Sequence, residues 1–185
     1  AFTDRLIILP TLQKGKNTLE ITLGPNPSVE PHLTYISKPL LKIDEKKDDL
    51  EILVSTKSKA KFNFHSGIGY ILLGADWQEW NRKGNFSYRG FVASDRKVTL
   101  KKLENSGFMI ISSAVPISDI KENGTEYRLT LGIPLQEKRE IRFTSEKIPK
   151  RINLDSKNIE IKKQDNFFEI DLPEFEKSAE LVIQY

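Results

Sequence analysis

The residues with most chemistry to offer lie between Phe62 and Phe91, a stretch that contains Phe62, Phe64, Tyr70, Phe86, Tyr88 and both tryptophans, Trp77 and Trp80. Flat aromatic faces cover the C–H side of a sugar ring, while carboxylates, amides and guanidinium groups bond its hydroxyls. Trp77, Trp80 and Tyr88 are therefore candidate stacking residues. Asp76, Glu79 and Arg82, with Gln78 and Asn81, are candidates for the polar edge. The competing reading is that the tryptophans cover the core beneath a loop, as large aromatics usually do.

Other arrangements are weaker. A glycosidase needs two carboxylates across the scissile bond, and Asp76 and Glu79 on one turn would point the same way. Capping and solvation explain them better, and no catalytic residue is assigned. His32 and His65 are the only histidines and show neither HxH nor HxxxH spacing, so they read as surface or supporting polar groups rather than metal ligands. No Gly-x-Ser-x-Gly elbow occurs. Gly67-Ile68-Gly69 lacks the third glycine and the downstream acid of a dinucleotide site. Asp44 to Asp49 is acidic enough to hold a loose ion but is no EF-hand loop. No metal or cofactor is expected. Asn85-Phe86-Ser87 and Asn123-Gly124-Thr125 fit the glycosylation acceptor pattern.

The elements that must position these groups alternate with period two. Leu50, Ile52 and Val54 share a face, as do Phe62 and Phe64; Tyr127, Leu129, Leu131 and Ile133; Ile141 and Phe143; Ile159 and Ile161; Phe168, Ile170 and Leu172; and Leu181, Ile183 and Tyr185. Such segments are half-buried antiparallel strands. Breakers fall between them at Gly24-Pro25-Asn26-Pro27, Asp44 to Asp49, Asn105-Ser106-Gly107, Asn123-Gly124 and Asp155-Ser156. Helical spacing is almost absent. The best candidate is a single turn over 75–82, with Asp76 as cap and Trp77 and Trp80 at i and i+3; residues 117–124 offer another turn. The pattern predicts an all-β, antiparallel β-sandwich of jelly-roll or Ig-like type with little or no helix.

The chain has 185 residues, 38% hydrophobic and 30% charged, with no cysteine and a net charge of +3. That is globular composition, sufficient for one large sandwich or two small ones. It excludes disulfides and thiolate metal sites. No apolar run is long enough for a membrane helix. The basic excess is too weak and too little threaded with aromatics for a nucleic-acid surface. A basic stretch over 82–102 and an acidic one from Asp165 onward could lie side by side, or be solvated faces of opposite sign. No signal peptide is visible and the chain starts at Ala1, which favours an excised fragment. Residues 31–185 form the expected main sandwich, and residues 1–30 are either N-terminal edge strands or the end of a preceding domain.

Residues 6–23 and 168–185 both run strand, Leu-Pro, polar turn, strand, which predicts two closing hairpins. The Leu9 to Ile21 stretch resembles the last hairpin of galactose-binding-like jelly rolls. Pro149 to Tyr185, through Ile152-Asn153-Leu154-Asp155, Ile159-Glu160-Ile161 and Phe168 to Pro173, resembles the closing sandwich of many glycoside hydrolases. The resemblance covers about a third of the chain and carries no catalytic residue. It implies a secreted, periplasmic or cell-surface setting and a neighbouring catalytic domain. The expected function is a non-catalytic accessory or carbohydrate-binding module acting on a polysaccharide or oligosaccharide. The alternatives are a structural or interaction module, such as an Ig-like spacer, and a glycoside hydrolase fragment.

Overall fold

The computed structural model describes residues 15, 31–38, 40–45, 49–54, 59–66, 69–81, 87–92, 96–104, 107–134, 137 and 139–185. Among them there is no helix, and the strands form three antiparallel sheets. Strands are numbered β1 to β17 in chain order. The longest sheet has eight, in the order β1 (His32–Ile36), β4 (Ala60–His65), β7 (Ser87–Val92), β6 (Trp77–Asn81), β9 (Phe108–Ser113), β12 (Glu140–Ser145), β16 (Phe168–Asp171) and β15 (Lys162–Lys163). A four-stranded sheet runs β2 (Leu40–Glu45), β3 (Asp49–Val54), β8 (Arg96–Lys102), β5 (Tyr70–Leu73). A five-stranded sheet runs β10 (Ile117–Glu122), β11 (Glu126–Leu131), β17 (Ala179–Gln184), β13 (Arg151–Leu154), β14 (Lys157–Asn158).

The long sheet roofs two separate hydrophobic cores. Under its first half, Phe62, Phe64, Tyr88 and Val92 meet Leu50, Ile52, Val98 and Leu100 of the four-stranded sheet. Under its second half, Phe108, Ile110, Phe143 and Ile170 meet Leu129, Leu181 and Ile183 of the five-stranded sheet. Each fully buried side chain of this size stabilises by about 1.5–3 kcal/mol relative to exposure. β5 serves both cores through its alternation: Leu72 packs into the first, Ile71 and Leu73 into the second. The roof is continuous because β6 pairs with β9 at Gln78↔Ser113 and Glu79↔Ser112. Gln78 and Ser113 are fully buried at that seam, where the Gln78 amide donates to the Leu72 carbonyl (2.8 Å) and the Ser113 hydroxyl to that of Val115 (2.6 Å).

Two expected turns have the geometry their residues favour. Asn123-Gly124 joins β10 to β11, with Gly124 at φ 70° and the Asn123 side-chain oxygen accepting from the Glu126 N–H at 3.1 Å. Asp155 and Ser156 join β13 to β14 with φ 46° and 68°, the two positive values a tight right-twisted hairpin requires.

Five expectations change. The segment around Trp77 and Trp80 is a strand, not a helical turn: one turn cannot hold itself, while β6 gains ladders with β7 on one side and β9 on the other. Residues 117–122 are likewise strand β10, and the turn follows it. Residues 168–185 do not form a hairpin. β16 belongs to the long sheet and β17 to the five-stranded one, and residues 172–178 arch between them, pinned by the Leu172 N–H on the Arg139 carbonyl at 2.8 Å. Ile159 and Ile161 lie outside any strand because the chain there also changes sheet, from β14 to β15, while both side chains pack on the second core. The basic and acidic stretches are not neighbours either: β8 pairs with β3 and β5, whereas β16 and β17 pair with β12, β15, β11 and β13. The matching first hairpin at 6–23, the resemblance at Leu9 to Ile21 and the breaker at Gly24 to Pro27 lie outside the described residues.

Candidate functional site

Successive side chains of a strand point to opposite faces. In β6, Gln78 is buried and Trp80 packs against the first core, so Trp77 and Glu79 occupy the outer face. In β7, Tyr88, Gly90 and Val92 are buried, leaving Arg89 and Phe91 outside. The β6–β7 register sets Trp77 opposite Phe91 and Glu79 opposite Arg89. The Trp77 and Phe91 rings lie 6.1 Å apart and within 14° of parallel. Beside them the Arg89 guanidinium holds Glu79 through two nitrogens, Nε at 2.9 Å. The Lys59 ammonium sits 3.6 Å from the centre of the Phe91 ring, and Lys61 lies directly across from Phe91 on β4.

Gly90 sets the platform's seat. A Cβ there would stand 2.4 Å from the Trp77 carbonyl oxygen and 3.1 Å from the Phe62 ring. Its absence lets β6 close on β7 above the core. Next to the aromatic pair a polar row crosses all eight strands in register: Tyr35, Asn63, Arg89, Glu79, Ser112, Arg142, Glu169 and Lys162.

The six sequence-predicted ligand residues are thus divided by the sheet. Trp77 and Glu79 are on the outer face. Tyr88 is 1% exposed and donates its hydroxyl to the Tyr70 carbonyl at 2.8 Å; burial pushes its ionisation well above the usual tyrosine range. Asp76 is also 1% exposed, and its N–H is held by the Phe91 carbonyl at 2.9 Å. Trp80 is half-buried, with its indole nitrogen screened from solvent. Burial removes Tyr88 and Asp76 from any surface a sugar can touch, and it separates Asp76 from Glu79. Arg82 lies outside the described residues. Phe91, Arg89 and Lys59 take the vacated places. The first two were legible from the alternation of Tyr88-Arg89-Gly90-Phe91-Val92, which puts Phe91 with Arg89. Lys59 had no signal, because its reach over Phe91 is a tertiary contact.

Three further clusters lie elsewhere. His32 and His65 are cross-strand neighbours on β1 and β4, with ring centres 4.9 Å apart, so both belong to strands. Carboxylate oxygens of Glu140, Glu169 and Asp171 come within 4.8 Å of one another, a spacing that suits a metal ion. Arg142 bonds Glu140 and Glu169 at 2.8 Å each and Lys162 bonds Asp171, so every carboxylate of that cluster already has a cationic partner. A shallow cleft of about 20 Å³ between Tyr127, Tyr185, Ser145 and Lys147 has room for one water and not for a sugar. Burial and a hydrogen bond to Glu122 raise the Tyr127 ionisation. Asn123 is exposed in its hairpin, while Asn85 lies outside the described residues.

Among the described residues the protein is all-β, and the outer face of its long sheet carries the Trp77–Phe91 pair. No protein-family model matches the sequence, and no match to it is found among curated proteins.

Proposed function

We propose that this chain is a non-catalytic carbohydrate-binding or accessory module of a secreted polysaccharide-degrading protein, acting beside a catalytic domain in a secreted, periplasmic or cell-surface setting. The observation that carries the reading is the nearly parallel Trp77–Phe91 pair on the outer face of the long sheet, bordered by the Arg89–Glu79 pair. An extended sheet face suits a polymer better than a single small molecule, because a chain can run along it. The rings cover the apolar side of the sugar, and the charged groups bond its hydroxyls.

Trp77 is the test. In a Trp80→Phe background it is the sole tryptophan, so its emission should shift saturably when oligosaccharides or soluble polysaccharides are added. Trp77→Ala should fold normally and lose binding at least tenfold by affinity electrophoresis. Unchanged affinity in Trp77→Ala would remove the platform from the site.

A spacer is the competing role. It is favoured by the unbroken eight-stranded roof over two cores and by the sharing of β5, which make the unit stiff. A folded protein that binds no glycan would have that role.

A further inference from the structure

Resting on the reading of Trp77 and Phe91 as a sugar platform, we propose that its ligand is an acidic polysaccharide, one whose sugar rings carry carboxylate or sulfate groups. Aromatic faces do not choose between neutral and charged sugars, so the choice falls to the groups around them. Lys59 holds its ammonium 3.6 Å from the Phe91 ring centre, where the ring's electron-rich face steadies it. Lys61 is exposed and stands opposite Phe91 in the same transverse row. Among the described residues, neither ammonium is paired with a carboxylate.

The one carboxylate that the described residues place in the adjoining stretch of the polar row is Glu79, and Arg89 already occupies it. The charged border of the platform is therefore cationic: two ammonium groups stand beside an Arg89–Glu79 pair whose charges cancel. Sugar hydroxyls both donate and accept, and sites for neutral sugars provide both kinds of partner. Carboxylates and sulfates only accept, which matches the two ammonium donors beside the rings. With Glu79 cancelled by Arg89, the two lysines leave a local charge of about +2, which draws a polyanion toward the rings. Lys59 also covers part of Phe91, so Trp77 is left to stack the sugar while the ammonium meets its acid group.

Binding of the untagged chain is measured against polygalacturonate, dextran sulfate and unmodified dextran. Both acidic polymers, or one of them, should bind at least tenfold tighter than dextran, and the two separate a preference for carboxylate from one for sulfate. Raising salt from about 0.05 to 0.5 M should weaken that binding, since the screening length falls below the platform's width. Lys59→Gln and Lys61→Gln, both exposed and expected to melt as the parent does, should each cost up to about fivefold. Trp77→Ala should abolish binding. Equal binding of dextran, unaffected by either lysine change but lost in Trp77→Ala, would overturn the acidic preference and leave the sugar platform standing. Dextran sulfate binding that survives Trp77→Ala would mean diffuse polyelectrolyte attraction and overturn the proposal. No binding to any polymer would overturn both readings.

Discussion

Replacing Gly90 with alanine tests the packing that seats the platform. Gly90 lies on β7 between Phe62 of β4 and Gln78 of β6. Its φ is not in the left-handed range, so backbone freedom does not explain a glycine there. On conformational grounds alone the alanine should stabilise the strand by about 0.4–1 kcal/mol, because it restricts the unfolded chain. Space says the opposite. The new Cβ meets the Trp77 carbonyl at 2.4 Å, roughly 1 Å short of ordinary contact, and the Phe62 ring at 3.1 Å. The first neighbour is backbone on the adjacent strand and cannot rotate away. The second is fully buried. Relief requires β6 to part from β7, and overpacking of this kind costs typically 1–3 kcal/mol. With the upper end of that range set against the conformational gain, a net loss of about 2–2.5 kcal/mol is expected, a sizeable share of an ordinary domain's stability. Urea unfolding followed by tryptophan emission gives the value, with Gly124→Ala as comparison. Gly124 has φ 70° and nothing near its missing Cβ, so it should cost only about 1–2 kcal/mol of backbone strain. A Gly90→Ala protein as stable as the parent, or more so, would refute the close approach of β6 and β7.

Two more predictions concern a turn and the buried tyrosines. Ser156→Gly should stabilise by about 1 kcal/mol in thermal or urea melts, because Ser156 sits at φ 68° where glycine has no Cβ to strain; Asp155 is better left alone, since its carboxylate accepts from the Glu180 N–H at 2.8 Å. Tyr88 and Tyr127 both ionise higher in the fold than in the unfolded chain, chiefly through burial. A raised folded value means the stabilisation is complete below the unfolded value of about 10 and is lost as pH climbs beyond it. Stability should therefore fall above pH 10 by up to about 3 kcal/mol per pH unit from the two groups together, with about half that slope in Tyr88→Phe. Urea melts across that range, with the share of tyrosinate absorbance that Tyr88→Phe removes appearing only on unfolding, provide the check.

Much of the fold was legible because a strand with one buried face must alternate. Leu50 with Ile52, Tyr127 with Leu129 and Leu131, and Leu181 with Ile183 were recognisable by that rule, and each is buried. Asn123-Gly124 and Asp155-Ser156 were recognisable as turns because few residues tolerate positive φ. The aromatic stretch from Phe62 to Phe91 was divided wrongly between the two faces of the sheet. Trp77 and Trp80 were placed together by helical spacing, but i and i+3 fall on opposite faces of a strand.

Local sequence thus determined the class of the protein: an antiparallel all-β chain, its strand centres and several of its turns, all consequences of side-chain alternation and backbone sterics. Tertiary structure alone decided which face of each strand is inside. β6 and β7 carry large side chains on both faces, so neither face announces itself as core. It also decided which sheet each strand joins, turning an expected closing hairpin at 168–185 into an arch, because strand-to-sheet assignment depends on distant partners. Finally, it decided that Lys59 lies over Phe91 and that one sheet spans two cores, since both follow from contacts between segments far apart in the chain.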